Sequence, residues 1–398
     1  MSELTVITGM GTVTPLGVGA ETLYARWRAG DLGIVDGEGA CRDFDASEFL
    51  SRREVRSADR FAQMATVAAA EALDQAGWSE EPPYDPDRIG VVLATSVGGI
   101  KSCIEQQDRV REKGADYISP LAVTMQMPNA AAAMIAQRYG FRGECCALVA
   151  ACASGTMAFG AGRRLLADGT LDAVLIGGAD AAITLQVVAA FRVMGALSRC
   201  GIARPFDRRR DGFIIGEGAG AVVLERASAA RERGAAALAE VIGFGASTDA
   251  YHVSAPEPSG RTAAIAIQRA LACAGIGPDD VDYVNAHGTA SQLNDQAETR
   301  ALKAALGDRA YEIPISSTKS TIGHLMGAAG MVEAVATVLA LRDRVAPPTL
   351  GLEEPDDELD LNYVPGRPQP LAATGELVAI SNSFGLGGHN AVVALRVR

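Results

Sequence analysis

Short runs of β-branched and other apolar residues alternate along the chain with longer Ala-rich stretches of helical period. Residues 4–8, 90–94, 146–151, 173–176 and 219–224 read as buried strands, and 60–76 and 155–168 as the helices between them. The pattern resumes with strands at 238–247, 283–286, 313–316, 377–381 and 391–397, and helices at 261–274, 295–306 and 325–341. This succession predicts an α/β fold throughout. Residues 100–122 are less regular and more charged, which marks an insertion or cap, extending to about residue 135, rather than sheet core. The stretch 129–139 resumes as an Ala-rich helix that must pack closely on something, a second copy of the chain being one candidate. The charged segment 226–237 is the seam between two halves, 1–237 and 238–398, and the Pro- and Asp-rich segments 81–87 and 353–366 read as surface loops.

Composition narrows the function classes. The 398 residues are 48% hydrophobic and 21% charged, with 36 basic against 48 acidic side chains and a net charge of −12. That is ample material for a core, and more than one core is expected at this length. The acidic balance argues against broad nucleic-acid binding, which rests on Lys and Arg neutralising phosphates, so any basic partner surface must be local. The first ten residues lack the basic start and apolar core of a secretory signal, and no uncharged run spans a bilayer, so a cytoplasmic protein without a membrane segment is expected. Seven scattered cysteines fit reduced thiols better than a disulfide framework. No CxxC pair is present and the adjacent Cys145 and Cys146 cannot easily share one tetrahedral ion, so no metal site is expected.

The strongest local signal is LVAACASGTMAFGAGRRLL, an apolar strand ending at Ala151, Cys152 in the turn, and Ser154-Gly155 opening a helix. The arrangement is analogous to a nucleophile elbow, and a helix N-terminus favours thiolate, so Cys152 is the candidate nucleophile with a lowered thiol pKa. Cys145, Cys146 and Cys273 sit in apolar contexts and read as packing residues. Of the four histidines, His287, His324 and His389 fall in Gly-rich turns after strands, and Lys319 lies five residues before His324. Two imidazoles plus a thiol suggest acyl transfer or carbon–carbon bond formation on a thioester, whose developing oxyanion needs hydrogen-bond donors. His252 and His389 read instead as satisfying local backbone groups.

The Cys152 elbow, RPFDRRRDGFIIGEGAGAVVLE, NAHGTASQLND, SSTKSTIGHLMGAAGMVEA and NSFGLGGHN occur in order, and together the chain resembles the elongating β-ketoacyl-acyl-carrier-protein synthases over essentially its whole length. The resemblance implies a thiolase-like, five-layered αβαβα fold built from two similar halves. It further implies a homodimer, or a heterodimer with a chain-length-factor-like homologue, with the 129–139 helix at the interface. By the same resemblance Cys152 is the acylated nucleophile, His287 and His324 complete a Cys-His-His set, Lys319 orients one imidazole, and Glu333 supports the site from behind. Phe384 corresponds to a gating phenylalanine whose N–H joins that of Cys152 in an oxyanion hole, and Phe191 to a second aromatic at the entrance. Thr289 and Ser291 correspond to the hydroxyl pair that holds the phosphopantetheine arm.

The implied reaction is ping-pong. An acyl group passes from acyl carrier protein to Cys152, and malonyl-carrier protein then loses carbon dioxide and its carbanion attacks the acyl-enzyme, with no bound cofactor. Arg53, Arg56, Arg60 and Arg192 are candidates for docking the acidic carrier protein, and a solvated helix face explains them equally well. Three positions depart from the commonest family pattern: Ala150, Leu386 in place of a usual Phe, and Gln292-Leu293-Asn294. The tripeptide Leu293-Asn294-Asp295 resembles type II polyketide or polyene ketosynthases more than fatty-acid elongation synthases, which remain the alternative. A non-catalytic chain-length factor lacks the nucleophile this chain has, and thiolases or initiating synthases carry Cys-His-Cys or Cys-His-Asn sets.

Overall fold

The computed structural model describes residues 3–78, 81–371 and 374–398. Its main strands are β1 (Thr5–Thr14), β2 (Ile89–Ala94), β3 (Cys145–Leu148), β4 (Ala173–Asp180), β5 (Gly218–Arg226), β6 (Ala239–Thr248), β7 (Tyr283–Asn285), β8 (Ile315–Ser316), β9 (Leu377–Gly385) and β10 (His389–Val397). The helices that position the site are α1 (Arg60–Gln75), α2 (Ile100–Lys113), α3 (Ala130–Tyr139), α4 (Ser154–Ala167), α5 (Leu185–Met194), α6 (Arg261–Ala274), α7 (Gln292–Leu306), α8 (Lys319–Ile322) and α9 (Ala329–Asp343).

The strands pair in the order β3-β2-β4-β5-β1-β6-β10-β9-β7-β8. Read inward from each edge, both halves run parallel, parallel, antiparallel, antiparallel, and each strand of the second half stands five strands after its counterpart in the first. The halves join where β1 pairs antiparallel with β6, Thr5 opposite Val241. The two half-sheets enclose one layer of helices, α4 and α9, whose Phe159, Met331, Val335 and Val338 pack with Ile176 and Val222 on one side and Val393 and Leu395 on the other. The outer faces are covered by α1 and α3 on the first half and by α6 and α7 on the second. The result is five layers, helix–sheet–helix–sheet–helix. From Ala329 to Leu341 every residue of α9 is buried, as a helix between two sheets requires.

Glycines set the closest contacts of this stack. A Cβ on Gly9 or Gly11 would come within 1.9 Å of the Ala72 carbonyl oxygen or 2.1 Å of that of Ala68, so β1 lies almost directly on α1. The same spacing recurs in the second half, where Gly243 and Gly245 face the Ala270 and Ala266 carbonyls at 2.2 and 2.1 Å. This is why β1 continues to Thr14 although its apolar run breaks after residue 8.

Several expected boundaries move. The strand expected over 146–151 ends at Leu148 because the chain must turn there, and the one expected over 313–316 keeps only Ile315 and Ser316. The helix expected from residue 325 starts at Ala329, after a tight turn. Residues 100–122 contain no strand, as expected of a cap, but they form a regular helix, α2, rather than irregular chain. Helix α5, which carries Phe191 and has no fully buried residue, was not anticipated. No helix among the described residues is long and apolar enough to cross a membrane.

Candidate active site

After β3 the chain turns sharply, with Ala151 at φ 49°, a left-handed conformation that a residue with a side chain adopts only when its surroundings enforce it. Ser154 supplies that enforcement. Its buried hydroxyl accepts the Ala150 N–H at 2.8 Å and lies 2.6 Å from the Ala151 carbonyl. Cys152 therefore sits between strand and helix at the start of α4, as its motif predicts. The second half repeats the arrangement: β8 leads through α8 and a turn containing His324 into α9. The first turns of α4 and α9 meet through glycine. A Cβ on Gly155 would lie 2.6 Å from the Met331 nitrogen, and one on Gly330 2.1 Å from Thr156 Oγ1. Each is the second residue of its helix, so this close approach brings Cys152 and the histidine turn to one place.

Cys152, His287 and His324 open onto a single cavity of about 560 Å3, together with Phe191, Phe384, Thr289 and Ser291. The two imidazoles stand edge to face with centroids 5.3 Å apart. The Thr289 and Ser291 hydroxyls are 3.1 Å apart. His252 is exposed and its Nδ1 accepts the Ser254 and Ala255 N–H groups at 3.1 Å, in keeping with a local role.

His287 and His324 are both almost wholly buried. Burial, then the nearby Lys319 ammonium and, for His287, the second imidazole, hold both well below the ordinary histidine pKa, so both are neutral near pH 7. Lys319 Nζ lies 3.2 Å from His287 Nδ1 and also pairs with Glu333. An ammonium has only protons to give, so Nδ1 accepts and the His287 proton is fixed on Nε2. His324 Nδ1 has no partner among the described residues. Its backbone is pinned instead, donating to the Ile214 carbonyl at 2.7 Å and accepting from Gly216 at 2.9 Å. Burial pushes the Glu333 carboxyl upward against the pull of Lys319.

Two expectations change. The lowered thiol pKa does not hold: burial pushes the Cys152 thiol up to about 11, while the Leu386 N–H and Lys319 pull it down and Asp180 opposes them. A helix N-terminus contributes about 0.3–2 kcal/mol, roughly one pKa unit, whereas full burial of a charge shifts a pKa by up to about 3–5 units, so desolvation wins. Second, the backbone N–H facing the Cys152 sulfur belongs to Leu386, two residues beyond Phe384. Phe384 remains in β9 opposite Asn390, and its ring packs 5.9 Å from that of His287.

The docking arginines divide. Arg53 and Arg56 are exposed on or beside the short helix Arg52–Ser57, and Arg192 is exposed on α5, but Arg60 is taken up by Glu217 at 2.8 Å and the Cys41 carbonyl at 2.7 Å. The sequence reading also missed Glu298, whose buried carboxylate accepts the His287 and Gly288 N–H groups at 2.8 and 2.7 Å and so fixes the turn that presents His287. Burial pushes its carboxyl up to about 7. A buried acid seven residues into a helix gives no local signal of its own, although its position 11 residues after His287 puts it back under that turn.

The profiles of the β-ketoacyl synthase N-terminal and C-terminal domains match residues 38–230 and 238–353. The 3-oxoacyl-acyl-carrier-protein synthase 2 of Synechocystis sp. is 41% identical over 415 residues, covering 98% of this chain and 97% of that protein. Among solved structures, a type II polyketide-synthase acyl-carrier protein in complex with its ketosynthase bound to the hexaketide matches over the full length of both chains with a TM-score of 0.90 at 28% identity. The ishigamide ketosynthase/chain length factor does so with a TM-score of 0.89 at 31% identity. Fold, elbow and paired imidazoles thus agree with the profiles and relatives: the chain belongs to the β-ketoacyl synthase family of acyl-transferring condensing enzymes.

Proposed function

We propose that the chain elongates carrier-bound acyl groups in a type II polyketide or polyene pathway, by decarboxylative condensation with malonyl-carrier protein. In the first half-reaction the Cys152 sulfur forms a bond to the acyl carbonyl carbon, and its proton passes through a neutral imidazole to the expelled pantetheine thiolate, which departs as the thiol. In the second, malonyl-carrier protein loses carbon dioxide, and the resulting carbanion attacks the acyl-Cys152 carbonyl and expels the thiolate, which takes up a proton from solvent. His287, with its proton held on Nε2 by Lys319, donates to the malonyl thioester oxygen as the enolate forms. His324, with no partner on Nδ1, is free to donate or accept at the same cavity. The N–H groups of Cys152 and Leu386 hold the oxyanion of the acyl-enzyme. Phe191 and Phe384 line the approach, and Thr289 and Ser291 hold the pantetheine arm. The observation that carries the reading is the convergence of one thiol and two neutral, buried imidazoles on a single cavity.

The polyketide assignment is supported by the two ketosynthase structures and by Leu386 and residues 292–294, which depart from the family pattern and line the cavity. Fatty-acid elongation is the second reading, favoured by the 41% identity to a 3-oxoacyl-acyl-carrier-protein synthase 2. A second protomer, identical or chain-length-factor-like, docks along β3, an edge strand flanked by exposed Val97, Val123, Met127 and Val149 and by α3. The acidic carrier docks at Arg53, Arg56 and Arg192. Seven unpaired thiols suit the cytoplasm.

Mass spectrometry of the enzyme offered a series of acyl-carrier proteins tests the reading. An acyl mass retained on the Cys152 peptide and elongated by malonyl-carrier protein is expected. Preference for polyketide over saturated acyl chains separates the two pathways, and hydrolysis without elongation would overturn the condensing mechanism.

A further inference from the structure

A second cavity, of about 490 Å3, shares no lining residue with the one around Cys152. It lies between the short helix Arg52–Ser57, the start of α1 and one face of α2. Lys101, Ser102, Glu105, Gln106 and Arg109 follow one another at helical spacing along that face, with Arg56 and Arg60 on the opposite wall.

The charges on this wall do not cancel. Arg60 is committed to Glu217 and Cys41, as described above. Asp59 is committed too, accepting the Phe61 N–H at 3.1 Å and the Ser102 N–H at 2.6 Å. Arg56, Lys101 and Arg109 have no ion pair or hydrogen bond among the described residues, and they face only one uncommitted carboxylate, the exposed Glu105.

Neutral donors add to it from deeper in the wall. Ser102 is 3% exposed and Gln106 8% exposed. Gln106 Oε1 accepts the Ser119 N–H at 2.8 Å, which leaves its amide N–H groups without an acceptor among the described residues, and the Ser102 hydroxyl has none either. Donors that open into the cavity without a protein acceptor, beside unpaired cations, suit an anion with several acceptor oxygens. Donors arriving from two helices suit a tetrahedral oxyanion better than a planar carboxylate, and a half-open cleft of this volume suits a small molecule.

We infer that this cavity binds a small, multiply charged oxyanion of the phosphate or phosphate-ester class, held by Arg56, Lys101 and Arg109 with Ser102 and Gln106 beneath. The inference is separate from the chemistry at Cys152, whose cavity shares no lining residue with this one, although Arg56 is also one of the arginines proposed above to dock the carrier.

Titration calorimetry of the full chain with inorganic pyrophosphate at low ionic strength tests it. One saturable site per chain is expected. The Lys101→Ala/Arg109→Ala variant should bind about a hundredfold or more weakly, since each lost charged hydrogen bond is worth about 1.5–3 kcal/mol. The Ser102→Ala variant should bind a few-fold more weakly, and both should keep the native thermal midpoint. Tighter binding of adenosine monophosphate than of inorganic phosphate would identify an ester as the ligand, and the reverse the free ion. No saturable binding by the native chain, or equal affinity in the double variant, overturns the inference.

Discussion

Replacing Lys319 by methionine separates the two things this side chain does. Among the described residues its ammonium is the positive charge that acts on His287, His324 and Cys152, and it is also the partner of the fully buried Glu333. Met fills much of the same volume, so the loss is electrostatic rather than a cavity. Breaking a buried ion pair from one side costs about 3–5 kcal/mol, because the remaining charge is left in a low-dielectric interior. Here the burden falls on Glu333, whose second oxygen, Oε2, already has no partner among the described residues. Without Lys319 the Glu333 carboxyl, already raised by burial, rises further. A folded pKa above the unfolded one gives stability that is present at low pH and lost as pH rises through the folded value. The thermal midpoint of Lys319→Met should therefore fall more steeply between pH 5 and 8 than that of the native chain. Adding Glu333→Gln should remove that pH dependence and recover most of the midpoint. Condensation should not recover. With no donor fixed against His287 Nδ1, the Nε2 proton is no longer held toward the cavity, and loss of one such oriented donor is worth about 100-fold or more in rate. Denaturation curves across pH, paired with single-turnover decarboxylation of malonyl-carrier protein, provide the readout. Native-like condensation in the double variant would refute the assignment of Lys319 to the His287 proton.

Four further outcomes are expected. Cys152→Ala should abolish acyl loading, while His287→Ala or His324→Ala should spare loading and collapse condensation, both read by mass spectrometry and by carbon dioxide release. With the thiol near 11, iodoacetamide labelling of Cys152 should climb about tenfold per pH unit from 7 to 10, and a plateau below pH 9 would contradict burial as the dominant influence. Cys273, pulled down by Arg163 at 3.2 Å and exposed, should label first at neutral pH, as peptide mapping can check. Both imidazoles are held below the 6.5 of a free histidine, so the unfolded chain binds more protons there, and native stability should decline as pH falls below about 6.5, less so in His287→Gln.

What could be read from the sequence is what lies on one local stretch. The elbow at Cys152 is strand, turn and helix within some twenty residues, and the apolar runs of β2, β4 and β5 announce strands covered on both faces. The misplaced boundaries have a common cause, since they are positions decided by distant contacts. β1 outlasts its apolar run because α1 covers it, and α9 starts late because the turn before it must first deliver His324. The backbone N–H expected beside Cys152 was assigned to the conspicuous aromatic, Phe384, whereas a backbone donor needs no particular side chain and the N–H at the sulfur is that of Leu386. The thiol pKa was misjudged for a similar reason: the helix terminus is visible in sequence, and the depth of burial is not.

The internal repeat also left traces that residue identity hides. Gly9 and Gly11 correspond to Gly243 and Gly245, and Gly155 to Gly330, because these positions need the absence of a side chain, not a particular one. The central pair has the larger consequence. With Gly155 against Met331 and Gly330 against Thr156, the two helix starts can approach only if neither carries a Cβ, and the first half's nucleophile then faces the second half's imidazoles. Gly155→Ala should for that reason do more than an ordinary surface Gly-to-Ala change, which often stabilises a helix by about 1 kcal/mol. A methyl 2.6 Å from the Met331 nitrogen and 3.0 Å from the Gly327 oxygen forces α4 and α9 apart, at a cost of about 1–3 kcal/mol in stability. The condensing rate should drop further than acyl loading, since loading needs Cys152 while condensation needs the spacing between the halves. Measured side by side, equal losses in the two half-reactions would mean that the helix contact supports folding and nothing more.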